Sequence, residues 1–146
     1  AKWKDDTLTV SPAKLKAADL DMGSCPDLVP TVAVLASMAE GKTRISNVAH
    51  LRIKESDRLQ ALANEIAKTG CRIEVLEDGL DIDPESMSRG EKIEFLTYGD
   101  HRLAMSLSLF ELAGIEVMLD KPECVAKSFP DFWQKWAQIR QKSMQS

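Results

Sequence analysis

The chain has 146 residues, of which 44% are hydrophobic and 29% are charged, so it can bury the core of one compact domain but hardly of two. Its formal net charge is -4 at pH 7, which argues against a protein that binds nucleic acid or anionic membranes through a broad basic surface. Any anion site must therefore be local.

The first forty residues predict short extended segments and then a buried helix. Residues 7–12 alternate and are rich in β-branched side chains, which predicts a strand, and residues 15–23 predict a weaker extended segment. Residues 27–41 are apolar nearly all round, with Asp27 as a possible N-cap and Gly41 as a C-terminal stop. This pattern predicts a buried helix.

The rest of the chain predicts alternating strands and helices. Its strongest local signal is Asp78-Gly79, which predicts a tight hairpin turn. The helix expected at 100–114 has Asp100 as its N-cap and Gly114 as its C-terminal stop. The predicted elements are, in order, a strand at 42–48, a loop at 49–52, a helix at 55–69, strands at 71–78 and 79–84, a surface loop at 85–91, a strand at 92–99, the helix at 100–114, a strand at 115–120, an extended connection at 121–129 and a helix at 130–143.

The order of these elements predicts the fold class. The predicted order is helix, strand, helix, strand, strand, and then strand, helix, strand, helix. This order is typical of a repeated α/β unit whose helices cover one side of a mixed sheet. The sequence shows no exact internal repeat. The prediction of an α/β (α+β) fold therefore rests on element order alone.

The cysteines and the chain start indicate the cellular setting. Cys25, Cys71 and Cys124 are far apart and have no CxxC or Cys/His spacing, so we expect small buried thiols in a cytoplasmic protein and no metal site. No stretch approaches the roughly 18 to 20 apolar residues of a membrane span, and the start lacks the apolar core of a signal peptide. Because the chain has no initiating Met and begins close to a strand-like segment, we expect a fragment of a longer protein.

The segment RIKESDRLQ, residues 52–60, places five ionisable side chains within seven positions. On a helix, Lys54, Glu55 and Arg58 would share one side near the N-terminal turn. Cations are unfavourable there unless an anion binds in front of the helix. The alternative is a solvated face on which Glu55 and Asp57 pair with the cations, and this is the better interpretation of the segment taken alone.

Three further side chains are candidates for chemistry. Arg102, in the first turn after Asp100, could grip a planar carboxylate or phosphate, or could simply pair with Asp100 on the surface. Lys127 precedes an aromatic cluster and could be aimed into a pocket, or could be an ordinary loop lysine. Asp27 is either a helix N-cap, the better interpretation of the residue alone, or a base that the helix N-terminus keeps ionised.

Motifs of several other enzyme classes are missing from the sequence. It contains no GxGxxG or P-loop, no GxSxG and no HExxH, and its two histidines have no metal-ligand spacing. The candidate residues therefore do not belong to a nucleotide fingerprint, a serine hydrolase or a zinc protease.

Four segments together carry a family resemblance. The segments are LRIKESDRLQAL at 51–62, GDHRLAMSLSL at 99–109, AKSFPDFW at 126–133 and PDLVPT at 26–31. In content, order and approximate spacing the chain resembles, over nearly its whole length, the C-terminal part of the 5-enolpyruvylshikimate-3-phosphate (EPSP) synthase family. The KESDRL core is highly specific, and chance does not explain why the other three segments match the same family as well.

The resemblance implies a fold and a reaction. Members have two domains, each built from three βαβαββ units, with the active site in the cleft between them, so residues 1–146 would be part of the C-terminal domain and the N-terminal part would be absent. The enzymes transfer the enolpyruvyl group of phosphoenolpyruvate to the 5-hydroxyl of shikimate 3-phosphate, in the chorismate pathway. The resemblance implies no cofactor, no metal and a monomeric parent enzyme, and we expect no turnover by this chain alone.

The resemblance also implies roles for individual residues. Asp27 matches the catalytic carboxylate that binds the shikimate hydroxyls and accepts the proton of the 5-hydroxyl. Glu55 matches a carboxylate implicated in proton transfer at the methylene carbon of phosphoenolpyruvate. Residues that match the substrate-binding positions are Asp27, Lys54 at the shikimate 3-phosphate site, and Arg58, Arg102 and Lys127 at the phosphoenolpyruvate site. His50 stands where some members have an Asn that binds the shikimate phosphate, and it could still donate a hydrogen bond.

Two other functions fit the sequence less well. One is the related enolpyruvyl transfer to UDP-N-acetylglucosamine, which the KESDR and SFPDF segments fit less closely. The other is a non-catalytic domain that binds anions or another protein.

Overall fold

The computed structural model describes residues 1–54, 56–88 and 90–143. The strands are β1 (Lys2–Lys4), β2 (Thr7–Thr9), β3 (Asp19–Asp21), β4 (Thr43–Ser46), β5 (Arg72–Val75), β6 (Leu80–Asp83), β7 (Lys92–Phe95) and β8 (Glu116–Leu119). The α-helices are α1 (Val29–Ala36), α2 (Arg58–Ala67), α3 (His101–Leu107) and α4 (Phe132–Ser143). Short 3-10 helices cover Pro26–Leu28, Ala49–Ile53, Pro84–Ser86, Ser108–Ala113 and Pro122–Lys127.

A four-stranded mixed sheet organises the first part of the chain. Its strand order is β3-β4-β6-β5, with β3 and β4 parallel and the other pairs antiparallel. Along the chain these strands and the two helices between them follow the order β3-α1-β4-α2-β5-β6. This is one complete βαβαββ unit, so the predicted mixed sheet with covering helices is confirmed.

A second unit begins at β7. Strands β7 and β8 are parallel neighbours joined through α3, and α4 follows β8, so the order βαβα repeats the start of the first unit. Helix α1 packs against both α2 and α3, and Thr31 Oγ1 lies 3.1 Å from Ser106 Oγ across the α1–α3 contact. Helix α1 therefore joins the two units and brings the N-terminal turns of α2 and α3 close to its own.

The hydrophobic core is shared by the two units. Phe95 at the end of β7 stacks on Phe110 with ring centroids 5.5 Å apart. Each buried Leu or Ile contributes about 1.5–3 kcal/mol relative to an exposed one. The largest fully buried aliphatic side chains are Ile45, Leu51, Leu59, Leu62, Ile66, Leu80, Ile82, Leu103 and Leu107. Within the part of the chain that the structure describes, none of the helices is both long enough and apolar enough to cross a membrane.

The hairpin at the start of the chain differs from the prediction. Only Thr7–Thr9 of the strand predicted at 7–12 is a strand, and it pairs antiparallel with Lys2–Lys4, which sequence analysis did not identify. The reason is that a three-residue Lys-Trp-Lys segment shows too little periodicity to be distinguished from a loop. Both strands are exposed, and Trp3 remains 73% accessible.

Two predicted helices begin differently from the expectation. The segment predicted as one helix at 27–41 is a 3-10 turn, Pro26–Leu28, followed by the shorter helix α1. The suggestion that Asp27 is an N-cap is wrong, because Asp27 lies inside the 3-10 turn, whose N-cap position is Cys25. The helix predicted at 55–69 begins only at Arg58, because Asp57 is its N-cap and accepts a 3.0 Å hydrogen bond from the Gln60 amide. Lys54 therefore precedes the helix.

The hairpin between β5 and β6 is confirmed, but its turn is shifted by one residue. Val75 pairs with Leu80 and the Leu76 amide bonds to the Gly79 carbonyl at 2.9 Å, so the turn residues are Glu77 and Asp78. Gly79 lacks a side chain for another reason: a Cβ there would overlap the backbone carbonyl of Ile45. Gly79 therefore does mark the hairpin, as predicted, but a glycine is needed there because two backbones pack closely rather than because of the turn.

The connection predicted to be extended at 121–129 is instead largely the 3-10 helix Pro122–Lys127. Pro122 is at its start, where a missing amide costs nothing, and Val125 is buried while the segment packs against α3. This prediction was wrong because tertiary packing folded a segment with weak local preference.

Candidate active site

A buried ion pair links the first turns of α2 and α3. Arg58 is 2% exposed and Asp100 is fully buried, and Arg58 Nε donates a 2.6 Å hydrogen bond to Asp100 Oδ2. The other oxygen of Asp100 accepts a 2.8 Å bond from the Arg102 amide, which confirms Asp100 as the N-cap of α3. One carboxylate thus caps a helix and compensates a guanidinium that has lost its contact with water.

Asp27 lies between two arginines. Arg102 Nη2 donates a 2.8 Å hydrogen bond to Asp27 Oδ2, and Arg58 Nη1 lies 3.5 Å from Asp27 Oδ1. The Asp27 side chain is 55% exposed and that of Arg102 is 33% exposed, so this side of the cluster faces solvent. The structure therefore brings together three residues that the sequence placed in separate segments, Asp27, Arg58 and Arg102.

Arg102 is already paired with a carboxylate in this cluster. Among the residues that the structure describes, Asp27 and Asp100 are the acidic partners of Arg58 and Arg102. An anion that approaches Arg102 must compete with Asp27 for its guanidinium. Conversely, an anion bound to Arg102 would release Asp27 to interact with a hydroxyl group.

A cavity of about 320 Å³ begins at Asp27 and Arg102 and runs between α1, α3 and α4. Its walls are mostly apolar and include Leu109, Phe129 and Trp136. The aromatic side chains around it pack on one another, as Phe132 and Trp136 do with ring centroids 6.3 Å apart. The aromatic cluster after Lys127 therefore packs along the wall of this cavity.

The remaining predicted substrate-binding residues lie near the same helices but outside the ion-pair cluster. His50 lies on the 3-10 helix Ala49–Ile53, which packs against α2, and Lys54 ends that helix with extended backbone. Both side chains are exposed. Lys127 is also exposed, at the end of the 3-10 helix that packs against α3. Glu55, the predicted proton-transfer residue, lies outside the described residues.

The bend that leads into α3 is fixed by a carboxylate after β8. Asp120 Oδ1 accepts a 2.7 Å hydrogen bond from the Thr97 amide. Burial would raise the pKa of Asp120, but hydrogen bonds from the Thr97 amide and hydroxyl and from the Lys121 amide outweigh it and hold the pKa below the ordinary value. The ionised form of Asp120 therefore stabilises the bend.

Sequence reasoning missed one residue of this cluster in its functional setting. Asp100 was expected as a helix cap and as a possible surface partner of Arg102, whereas it is the buried partner of Arg58. Its position directly before His101 and Arg102 in the GDHR motif is a signal that is compatible with both roles. Only the tertiary structure, in which α1 packs against both α2 and α3, shows that Asp100 is a charge partner as well as a cap.

Comparison with known proteins assigns the family. A family model described as EPSP synthase (3-phosphoshikimate 1-carboxyvinyltransferase) matches residues 1–136. Proteins named 3-phosphoshikimate 1-carboxyvinyltransferase from Syntrophobacter fumaroxidans and Actinobacillus pleuropneumoniae are 42% and 38% identical over 139 and 141 residues. These alignments cover 94% and 97% of this chain but 33% of each relative, so the chain spans about a third of their length.

Solved structures give the same assignment. A structure of EPSP synthase from Acinetobacter baumannii superposes with a TM-score of 0.72 at 31% identity, over 82% of this chain and 29% of that one. The enolpyruvyl transferase NikO from Streptomyces tendae superposes with a TM-score of 0.60 at 24% identity, over 87% and 29% of the two chains, and supports the fold. The sequence match over residues 1–136 and these shared folds show that the chain belongs to the EPSP synthase family.

Proposed function

We propose that this chain is part of the C-terminal domain of a longer protein, called the full-length protein below, that transfers the enolpyruvyl group of phosphoenolpyruvate to the 5-hydroxyl of shikimate 3-phosphate. The observation that carries the proposal is Asp27 held between Arg58 and Arg102 at the mouth of a cavity. The substrates are inferred from family membership. Because the relatives are about three times as long as this chain, we place the rest of the site in the part of the full-length protein outside it.

In the proposed reaction Asp27 is the base. The 5-hydroxyl oxygen first adds to C2 of phosphoenolpyruvate while the hydroxyl proton passes to Asp27 and the methylene carbon gains a proton. The bond from C2 to the phosphate oxygen then breaks as the methylene carbon loses a proton, and the proton held by Asp27 leaves with the phosphate. The contacts with Arg58 and Arg102 orient the two carboxylate oxygens of Asp27, and a carboxylate placed beside a substrate hydroxyl can accept its proton. Its exposure of 55% gives a substrate hydroxyl access to it.

The cations hold the anionic substrates. We assign Arg58, Arg102 and Lys127 to the carboxylate and phosphate of phosphoenolpyruvate, because a small polyanion needs several cations and guanidinium groups can bind it through paired hydrogen bonds. Lys54 and His50 are assigned to shikimate 3-phosphate, since both are exposed beside the start of α2.

A second proton transfer is required at the methylene carbon. Addition of the hydroxyl across the double bond needs a proton on that carbon, and the same carbon must lose a proton when phosphate leaves and the double bond returns. We assign this exchange to Glu55. The reaction needs no oxidation or reduction, so the proposal includes no cofactor. We further propose a monomeric protein of the cytoplasm.

The test is enolpyruvyl transfer by the purified full-length protein. Phosphate release from phosphoenolpyruvate should require shikimate 3-phosphate, and mass spectrometry should show the enolpyruvyl product. UDP-N-acetylglucosamine should not replace the acceptor and, unlike shikimate 3-phosphate, should not protect the protein from heat. Release with the UDP-sugar alone would reject the proposed acceptor, and release with neither would favour a non-catalytic anion-binding domain.

A further inference from the structure

Glu65 is a buried acidic side chain on α2, two helical turns after Arg58. It is 1% exposed, and its carboxylate makes three contacts. Oε2 accepts hydrogen bonds from Lys68 Nζ at 2.6 Å and from the Leu96 amide at 2.8 Å, while Oε1 accepts one from the Tyr98 hydroxyl at 3.1 Å. Two of the three donors belong to the segment between β7 and α3.

That segment, residues 96–99, has an unusual backbone. Tyr98 has φ of 54° and is followed by Gly99 with φ of 68°, so two consecutive residues are in the left-handed region. A bulky residue adopts this conformation only where surrounding contacts hold it. The Tyr98 hydroxyl bond to Glu65 and the Thr97 amide bond to Asp120 are contacts of this kind from two different elements.

The segment leads directly to the candidate active site. Asp100 follows Gly99, caps α3 and binds Arg58, and Arg102 follows two residues later and binds Asp27. Helix α2 is therefore attached to the beginning of α3 at two levels, through Arg58 near its N-terminus and through Glu65 near its C-terminus. A shift of residues 96–99 would move Asp100 and Arg102 together.

The ion pair with Lys68 does not by itself explain why the Glu65 carboxylate is buried. The Lys68 side chain is 35% exposed and also donates a 3.0 Å bond to the Glu94 carbonyl, so it has access to water and to another acceptor. A buried carboxylate is expensive unless its bonds are satisfied. Here the remaining bonds fix the Leu96 amide and the Tyr98 side chain.

We propose that Glu65 is a positioning residue for phosphoenolpyruvate binding: by holding residues 96–99 it sets the position of Arg102 relative to Asp27. This inference rests on the proposed function for the identity of the ligand. Glu65 does not touch substrate, and its effect reaches the site through the start of α3.

The test compares four variants of the full-length protein. Glu65→Gln keeps the shape but removes the charge, and Tyr98→Phe removes a single hydroxyl from a side chain that is 40% exposed. Lys68→Gln removes the ion pair but leaves the bonds to residues 96–99. Glu111→Gln is the matched control, because Glu111 also accepts bonds from two side chains, Trp136 and Arg140, away from this segment.

We expect Glu65→Gln to raise KM for phosphoenolpyruvate about tenfold and Tyr98→Phe about threefold, with KM for shikimate 3-phosphate changed less than about twofold. Lys68→Gln and Glu111→Gln should leave both KM values within about twofold of the unmodified protein. Equal KM values for Glu65→Gln and Glu111→Gln, or a rise for Lys68→Gln as large as for Glu65→Gln, would overturn the proposal.

Amide hydrogen exchange is the second readout and does not depend on activity. Exchange at Leu96 and Arg102 should be faster in Glu65→Gln than in Glu111→Gln, because the contacts that hold the segment are lost. If the full-length protein shows no enolpyruvyl transfer, the proposed function fails, and Glu65 is then judged by exchange alone. Unchanged exchange at both amides in Glu65→Gln would overturn its positioning role.

Discussion

Arg102 Nη2 donates a 2.8 Å hydrogen bond to Asp27 Oδ2, although the two residues are 75 positions apart in the chain. The contact exists because α1 packs on α3, so that the turns at their N-terminal ends meet. It pairs the proposed base with a proposed substrate-binding cation. An anion bound at Arg102 would therefore change the hydrogen bonding of the base, which links binding of one substrate to activation of the other.

Asp27→Asn in the full-length protein should lower kcat at least about 100-fold, because an amide cannot accept the hydroxyl proton. The free energy of unfolding should change by less than about 1 kcal/mol, since the side chain is largely solvated. Steady-state phosphate release and urea denaturation measure the two effects. Asp19→Asn, at an exposed position on β3, is the control. Unchanged kcat for Asp27→Asn would remove Asp27 from the mechanism.

Arg58→Lys should lower the free energy of unfolding by about 2 kcal/mol. A lysine ammonium cannot reproduce the paired geometry that connects Arg58 to both Asp100 and Asp27, and Asp100 is fully buried. Lys14→Gln is the control, because that side chain is 80% exposed and its pair with Glu40 should contribute about 0.5 kcal/mol or less. Equal losses for the two variants in urea denaturation would contradict the importance assigned to the buried pair.

Gly79→Ala should cost about 3 kcal/mol or more, because the added Cβ would overlap the backbone carbonyl of Ile45 on the neighbouring strand β4. Gly114→Ala is the comparison: its φ is 85°, but the Cβ would enter open space, so we expect about 1 kcal/mol. Chemical denaturation of both variants distinguishes packing from backbone preference. A greater loss for Gly114→Ala would contradict the close approach of the two backbones.

Asp120→Asn should remove part of the acid sensitivity of the protein. Since the pKa of Asp120 is lowered by folding, its contribution to stability is present above the ordinary value of 3.8 and is lost as pH falls through the lower folded-state pKa. The effect should be below about 1 kcal/mol because Asp120 is exposed. Urea denaturation at pH 5 should therefore show a larger loss for Asp120→Asn than for Asp19→Asn, and the difference should shrink toward pH 2. A constant difference across this range would contradict the assignment.

The 146-residue chain by itself should show no enolpyruvyl transfer, because it spans about a third of its relatives' length and the proposed site is completed by the rest of the full-length protein. Phosphate release by the purified chain, compared with the full-length protein at equal concentration, is the measurement. An active-site variant of the chain, Asp27→Asn, controls for contaminating enzyme. Turnover by the chain that disappears in this variant would show that residues 1–146 hold a sufficient site.

Local sequence signals located most elements and several boundaries. Asp100 acts as the predicted N-cap, and Gly114 ends its helical segment with φ of 85°. The start of α2 at Arg58, which Asp57 caps, was not located. Where local preference was weak, packing decided the structure. Residues 122–127 form a 3-10 helix against α3 rather than an extended connection.

The sequence alone determined the α/β element order and, through four specific segments, the family. It could not decide whether the charges near Asp27, Arg58 and Arg102 lie on separate solvated helix faces or in one cluster, because each segment is consistent with either arrangement when its surroundings are unknown. The tertiary structure decided this by packing α1 against α2 and α3, which buries Arg58 with Asp100 and places Asp27 beside Arg102. Charge interactions depend on distance and burial in space, and these quantities are set by helix packing rather than by position along the chain.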